Sequence, residues 1–177
     1  MKFKTFLLYI FSTAIALSQY DYSLEDLNAS SESYGENVGT SHYIDHVTLH
    51  YFGHFTWGTC TNRFGELNEV YESLKAQNYS VKLTGIALAS QENYSSNWTN
   101  NNDAAVCVDP SPYNTWNDWN ANQRDLFILD RNGNFISQQN ITSGLPSDLE
   151  STVIGLLAED AQQTYVPDDN FEAQLES

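Results

Sequence analysis

One segment of the chain, residues 47–74, places a cysteine between a strand and a helix. Val47–Phe52 is an almost continuous apolar run, which favours a strand buried on both faces of a sheet. After a short loop and Cys60, apolar residues recur at helical spacing at Phe64, Leu67, Val70, Tyr71 and Leu74. The start of a helix favours a thiolate, because the helix dipole and free backbone N–H groups stabilise negative charge. Thr59 or Thr61 is the predicted N-cap of this helix.

Two further apolar segments extend this unit into a sheet. Val81–Ala89 predicts a second buried strand, and strand, helix and strand within about forty residues form a parallel unit with a right-handed crossover. Residues 90–104 are dominated by Asn, Ser and Thr, which is typical of a surface loop. The short apolar segment Ala105–Val108 follows and predicts another strand.

The last third of the domain predicts a hairpin and a helix. Leu126–Leu129 and Phe135–Ser137 flank the turn dipeptide Asn132-Gly133, which is a strong hairpin signal. Residues 147–150, SDLE, form a capping box that opens a helix. The chain therefore predicts an α/β domain over Ser23–Glu159, with a central, mostly parallel sheet, a closing β-hairpin and helices on both faces.

The N-terminus predicts secretion. Residues 1–18 contain two lysines, then the apolar run Phe6–Leu17 and small residues before a cleavage point after Ser18, which is typical of a signal peptide. Residues 19–160 then form the folded domain, and residues 161–177 form an acidic tail. We expect a secreted or periplasmic protein.

The charge of the chain excludes two classes of partner. The formal net charge of −16 repels phosphate backbones and anionic lipid, so neither nucleic acid nor a membrane surface is an expected partner. The apolar run near the N-terminus is too short for a membrane span, and no later segment is apolar enough.

Residues 52–67, FGHFTWGTCTNRFGEL, resemble a motif of the membrane-anchored and secreted thioredoxin-like proteins of the redoxin family. That motif is F-W-A-x-W-C-x-P-C-x-x-E-x-P-E-L, so Trp57 stands at its first cysteine and Cys60 at its second. Residues 124–133, RDLFILDRNG, are similar to the strand and hairpin that close such domains. They also resemble segments of peroxiredoxins and of the N-terminal domain of selenoprotein P. The resemblance implies a thioredoxin-like fold with a degenerate motif.

The tail carries a second resemblance. Tyr165–Leu175, YVPDDNFEAQL, is similar to the V-P-D-D-N-F-E-x-x-L segment that opens repeat regions in secreted Bacteroidetes proteins. This resemblance implies a further module beyond the domain. An acidic disordered tail is the other interpretation.

Cys60 is the candidate catalytic residue. In the redoxin family the second cysteine is shielded by the domain and resolves a mixed disulfide formed by the first, so Cys60 alone is expected to be a weak nucleophile. Asp109 and Arg124 are candidates to flank it, and Arg124 falls where peroxiredoxins carry a thiolate-stabilising arginine. Cys107 is the only other cysteine, which makes Cys60–Cys107 the candidate disulfide.

A candidate binding surface lies at the same motif. His54, Phe55 and Trp57 would form an apolar contact patch there, with Arg124 beside it. Since relatives at this motif include selenoproteins, the codon for position 57 distinguishes tryptophan from selenocysteine.

The histidines do not predict a metal site. His42, His46, His50 and His54 recur at every fourth position. Along a strand that spacing separates side chains by about 13 Å, whereas each ligand must lie about 2 Å from a shared ion. We predict no metal and no cofactor.

Three functions remain open at this stage. The protein is a thiol-redox domain that acts through Cys60 on a thiol or disulfide protein partner, or a non-catalytic binding domain on the same fold. The third function is a peroxiredoxin-like peroxidase with Cys60 as its one reactive cysteine.

Overall fold

The computed structural model describes residues 19–163, so the predicted signal peptide and the tail segment Tyr165–Leu175 lie outside the described residues. The strands are β1 (Leu24–Glu25), β2 (Asn37–Val38), β3 (Val47–Phe52), β4 (Val81–Leu88), β5 (Ala105–Asp109), β6 (Asp125–Leu129) and β7 (Phe135–Asn140). The helices are α1 (Gly58–Ala76), α2 (Ser96–Thr99), α3 (Asn114–Asp118) and α4 (Leu149–Gln163), with 3-10 turns at Ser41–Tyr43 and Ala89–Tyr94.

The central sheet has the predicted arrangement. Its strands lie in the order β5-β4-β3-β6-β7, and β1 and β2 form a separate two-stranded sheet. β3 pairs with β4 in parallel, with Val47 opposite Val81, and β4 pairs in parallel with β5. β6 pairs antiparallel with both β3 and β7. The predicted parallel neighbours and the closing hairpin are therefore confirmed.

β3 lies at the centre because its side chains are buried on both faces of the sheet. Val47, Leu49 and Tyr51 belong to one core cluster, which α1, α2 and α4 cover. Phe52 belongs to a second cluster on the opposite face, which Trp119 and the N-terminal hairpin cover. Both long helices therefore lie on one face, and the other face is covered by short elements. Within residues 19–163, no helix is both long and apolar enough to cross a bilayer.

Residues 90–104 differ from the predicted surface loop. They contain most of a 3-10 turn and helix α2, whose Trp98 is fully buried. The Trp98 ring stacks on Phe64 with centroids 4.6 Å apart and packs edge-on against Phe55 at 4.9 Å. A single apolar residue among polar ones carries no periodic signal, so the pattern could not predict this anchor.

The N-terminal segment is attached to the sheet by buried polar contacts. Tyr22 Oη forms a 2.9 Å hydrogen bond with His50 Nδ1, and His50 Nε2 forms a 2.8 Å bond with Thr48 Oγ1. Both ring nitrogens of this fully buried histidine are therefore bonded. Burial lowers the pKa of His50 to about 3, because a charged imidazole would lose its hydration.

Because Gly85 in β4 has no side chain, the Trp98 ring can pack directly against the backbone at that position. A Cβ at position 85 would lie 2.6 Å from Phe64 Cε2 and 2.8 Å from the nearest Trp98 ring atoms. We expect Gly85→Ala to lower the free energy of unfolding by roughly 1–3 kcal/mol, measured by urea denaturation. Gly65→Ala in α1 is the matched control, since its Cβ meets no heavy atom within 4 Å and alanine favours a helix. Equal losses in the two variants would contradict this account.

His50 makes stability depend on pH. An unfolded histidine has a pKa of about 6.5, so below that pH the unfolded chain binds a proton that native His50 excludes. Stability should fall as the pH drops from about 6.5 towards 3, by up to about 1.4 kcal/mol per pH unit. Urea unfolding at a series of pH values should show this slope, and His50→Gln should reduce it. His42→Gln, at an exposed position, is the matched control.

Candidate functional site

The candidate site lies where β3 ends and α1 begins. Trp57 is the N-cap of α1, with an extended backbone and no side-chain capping bond. Thr61 Oγ1 instead donates a 3.3 Å hydrogen bond to the carbonyl of Phe55, inside the first turn of the helix. The predicted cap at Thr59 or Thr61 is therefore wrong, because α1 begins at Gly58 and includes both threonines.

Cys60 is sealed beneath this end of the sheet. Its exposed fraction is 0%, and it packs in the core cluster with Tyr51 and Phe64. Tyr51 Oη donates a 3.2 Å hydrogen bond to the Cys60 carbonyl, which ties the first turn of α1 to β3. A thiol with no exposed surface cannot attack a polypeptide disulfide without local opening of the site.

Arg124 is the charged group beside the thiol. Its Nη1 lies 3.9 Å from Cys60 Sγ, while its Nε donates a 2.7 Å hydrogen bond to Thr142 Oγ1. The backbone of Arg124 is left-handed, with φ of 71°, and its N–H donates to the carbonyl of Phe52 at 2.7 Å. The entry into β6 thus holds the guanidinium against both Cys60 and the segment that follows β7.

Trp57 covers the outer side of the site. Its ring is 48% exposed and stacks on His54, with centroids 5.1 Å apart and planes 16° from parallel. The Arg124 guanidinium carbon lies 5.9 Å from the centroid of the Trp57 ring, within reach of a cation–π interaction. His54, Trp57 and Arg124 therefore form one continuous group above Cys60.

Phe55 does not belong to that exposed group. Its exposed fraction is 0%, its N–H donates to Gln91 Oε1 at 3.0 Å, and its carbonyl accepts from Asn97 Nδ2 at 3.0 Å. The expectation that Phe55 contributes to a surface patch is wrong. Its side chain turns inward to pack on Trp98, which the sequence pattern could not place.

An open groove of about 830 Å³ runs beside Trp57. Its second exposed aromatic ring is Tyr94, which is 54% exposed and follows β4 in the 3-10 turn. The groove is lined by His54, Thr56, Trp57, Leu88, Ser90, Gln91, Tyr94 and Gln123, and none of these is acidic. Sequence reasoning missed Leu88, Gln91 and Tyr94 as site residues, because only their spatial neighbours mark them.

Cys107 lies on the other face of the sheet. It belongs to the second core cluster, while the adjacent Val106 belongs to the cluster of Cys60. Both cysteines are free and buried, so the candidate Cys60–Cys107 disulfide is not formed, and the sheet itself separates the two thiols. Burial raises the pKa of the Cys107 thiol well above its usual value, which makes it unreactive.

Asp109 and three of the histidines also lie away from Cys60. Asp109 Oδ2 accepts a 2.9 Å hydrogen bond from the backbone N–H of Trp116 and so caps α3. His50 is bonded to Tyr22 and Thr48, His42 is exposed, and His46 is half-buried with its Nδ1 3.2 Å from the carbonyl oxygen of Ile44. Among the side chains that the structure describes, no group of three or more His, Cys, Asp or Glu residues has the geometry to hold a metal ion.

The position of Arg124 predicts how access to Cys60 is controlled. Arg124→Ala should raise the rate of Cys60 alkylation by iodoacetamide by about tenfold or more, because a covering side chain is removed. A faster reaction would therefore report better access of the reagent to the Cys60 thiol. The rate is measured by mass spectrometry of the Cys60 peptide, with the Cys107 peptide as internal reference. Arg131→Ala, far along the hairpin, should not change it, and rapid alkylation in the unmodified protein would contradict the burial.

Comparison with known proteins places this geometry in a known fold. No protein-family model matches the sequence, and no curated protein matches it. A mitochondrial 2-Cys peroxiredoxin from Plasmodium falciparum aligns with 84% of this chain and 96% of its own, with a TM-score of 0.64 and 19% identity. An uncharacterized thioredoxin-like protein from Bacteroides vulgatus aligns with 80% and 88%, with a TM-score of 0.63 and 19% identity.

A secreted disulfide oxidoreductase from Mycobacterium tuberculosis, homologous to E. coli DsbE, aligns with 81% of this chain and 99% of its own. Its TM-score is 0.55 and its identity is 14%. Identities this low show a shared fold and carry no residue roles. The chain therefore has the thioredoxin-like α/β fold, with a parallel sheet core and a closing hairpin.

Proposed function

We propose that this protein is a secreted or periplasmic thioredoxin-fold domain that binds a polypeptide partner beside Trp57 and does not exchange disulfides. The observation that carries the proposal is the complete burial of Cys60, with Trp57 at the position where the family motif has its first cysteine. The predicted signal peptide supports the location.

The thiol chemistry lacks two of its requirements. Dithiol–disulfide exchange needs an exposed attacking thiol and a second thiol that resolves the mixed disulfide. Cys60 has no exposed surface, and Cys107, the only other cysteine of the chain, lies across the sheet. The protein therefore has the thioredoxin-like fold but lacks an accessible pair of thiols that could exchange disulfides with a substrate.

The groove beside Trp57 has the apolar and hydrogen-bonding side chains of a polypeptide-binding site. Trp57 and Tyr94 offer aromatic surface, and Leu88 adds an aliphatic contact. Thr56, Ser90 and Gln123 provide uncharged hydrogen-bonding groups along the same groove. This combination suits a polypeptide segment that inserts an apolar side chain and bonds through its backbone. The solved structures of similar fold include disulfide oxidoreductases, which is consistent with a thiol or disulfide protein as the partner.

A second candidate function, a one-cysteine peroxidase, is favoured by the 3.9 Å contact between Arg124 Nη1 and Cys60 Sγ. Because Cys60 has no exposed surface, hydrogen peroxide would also need the site to open, but by far less than a polypeptide would. The Cys60 thiolate would attack one peroxide oxygen, form a sulfenic acid and release water after protonation of the other oxygen. An external dithiol would then reduce the sulfenic acid back to the thiol.

Binding and catalysis are separated by two assays on the same variants. With dithiothreitol as reductant, we expect insulin reduction at the uncatalysed rate in both the unmodified protein and Cys60→Ser. Reduced, carboxymethylated α-lactalbumin, an unfolded polypeptide without free thiols, should bind the unmodified protein in a saturable way. Cys60→Ser should retain that binding, and Trp57→Leu should weaken it by about tenfold, measured by calorimetry. Tyr34→Ala, at another exposed aromatic residue, is the matched control.

Insulin reduction above background that Cys60→Ser abolishes would overturn the binding proposal. For the peroxidase, the readout is sulfenic acid at Cys60, trapped by dimedone after addition of peroxide. Stoichiometric trapping within seconds, with loss in Arg124→Ala, would favour the peroxidase. Oxidation as slow as that of a free thiol would end it.

A further inference from the structure

The two edge strands of the central sheet, β5 and β7, differ in whether their outward backbone groups are hydrogen-bonded. At the β5 edge, the backbone of Val106 is bonded by the N-terminal segment: its carbonyl accepts from Leu27 N at 2.8 Å, and its N–H donates to Asp26 Oδ1 at 3.0 Å. Asn28 Nδ2 donates to the carbonyl of Ala104 at 2.8 Å on the same edge. Asp26 and Asn28 are buried. This edge is closed by dedicated polar groups.

The β7 edge is open in the described part of the chain, and its outward groups can be assigned. The N–H of Ile141 donates to the carbonyl of Arg124 at 2.8 Å, next to the pair of Asp125 with Asn140. In an antiparallel ladder, pairs that exchange backbone hydrogen bonds alternate with pairs that do not. Because Arg124 and Ile141 are bonded, the adjacent pair Asp125–Asn140 exchanges no backbone hydrogen bonds. The next pair of that kind is Phe127–Gln138. The N–H and C=O groups of Gln138 and Asn140 therefore point away from β6.

The β7 strand has no charged residue, although the chain carries a net charge of −16. Proteins usually guard an open edge with lysine, proline or a bulge. Here the bulge lies at the turn end, between the pairs of Ile128 and Leu129, and leaves residues 137–140 regular. The exposed side chains of Phe135 and Ile136 add apolar surface at that end.

Asp125, the carboxylate that contacts the side chains of β7, is fully hydrogen-bonded. Asp125 is buried, and its oxygens accept from Gln138 Nε2 at 2.9 Å, from Asn140 Nδ2 at 2.8 Å and from the Asn122 N–H at 2.8 Å. The Asp125 carboxylate oxygens therefore face groups of their own hairpin and the preceding loop, and not the outward side of β7. The same bonds hold the Gln138 and Asn140 side chains on their own strand, so the outward backbone groups stay accessible.

We propose that the β7 edge binds a second copy of this chain, strand against antiparallel strand, about a two-fold axis at Gln139. In this register each Gln138 exchanges both outward backbone bonds with Asn140 of the other copy, and Gln139 faces Gln139. Two copies of an acidic protein approach each other with least repulsion where the edge is uncharged. The contact joins two sheets into one and leaves the Trp57 groove outside the paired edge.

The test is the oligomeric state of the purified protein, by sedimentation equilibrium from about 1 µM to several hundred µM. We expect a monomer–dimer equilibrium. Gln139→Lys and Gln139→Glu place like charges opposite each other at the axis, and each should raise the dimer dissociation constant by roughly tenfold or more. Mixing the two variants should restore dimerisation, because the charges facing each other are then opposite. Asn62→Lys, which adds the same charge at an exposed position in α1, should dimerise normally.

Gln138→Pro removes an outward donor that β6 does not use, and it should give a monomer with unchanged circular dichroism. If that variant does not fold, the Gln139 variants decide the matter, because their side chains are exposed. A protein that stays monomeric throughout the concentration range overturns the proposal. A dimer that withstands both Gln139 changes also overturns it, since its contact would lie elsewhere.

Discussion

The structure depends on a constraint at β3, where every side chain is buried on one face of the sheet or the other. Leu49 and Tyr51 pack under the long helices, while His50 and Phe52 pack under the N-terminal segment. Because side chains alternate, a shift of one residue would exchange the two sets and place the imidazole of His50 beneath α1. The strand therefore has one register, and that register determines where Cys60 enters the core.

The elements that the sequence predicted correctly are those with local signals. The apolar run of β3, the helical spacing of α1 and the turn at Asn132-Gly133 each specify their own structure over a few residues. Trp98 and Phe55 could not be placed in this way, because each is buried through contact with the other and with Phe64. Such contacts join residues that are far apart in the sequence and leave no periodic trace.

The sequence predicted where the candidate site lies, but only some of the residues that form it. The resemblance to the redoxin motif placed Trp57 and Cys60 at the end of β3, where the structure has them. Whether Cys107 faces Cys60 depends on alternation along β5, where it lies opposite Ile86 and one residue away from the face of Val106. Neither composition nor spacing predicts which face of the sheet Cys107 lies on, because the apolar run of β5 would fit equally well if its register were shifted by one residue.

The distribution of charge relates the groove to the open edge. The chain has 23 acidic residues and a net charge of −16, which keeps copies apart at long range. Yet no acidic residue lines the groove beside Trp57, and none lies in β7. Asp125, between these regions, is buried and bonded by Gln138 and Asn140. The groove and the β7 edge are therefore two regions of an acidic protein where an acidic partner, another copy included, meets little repulsion and can bury surface.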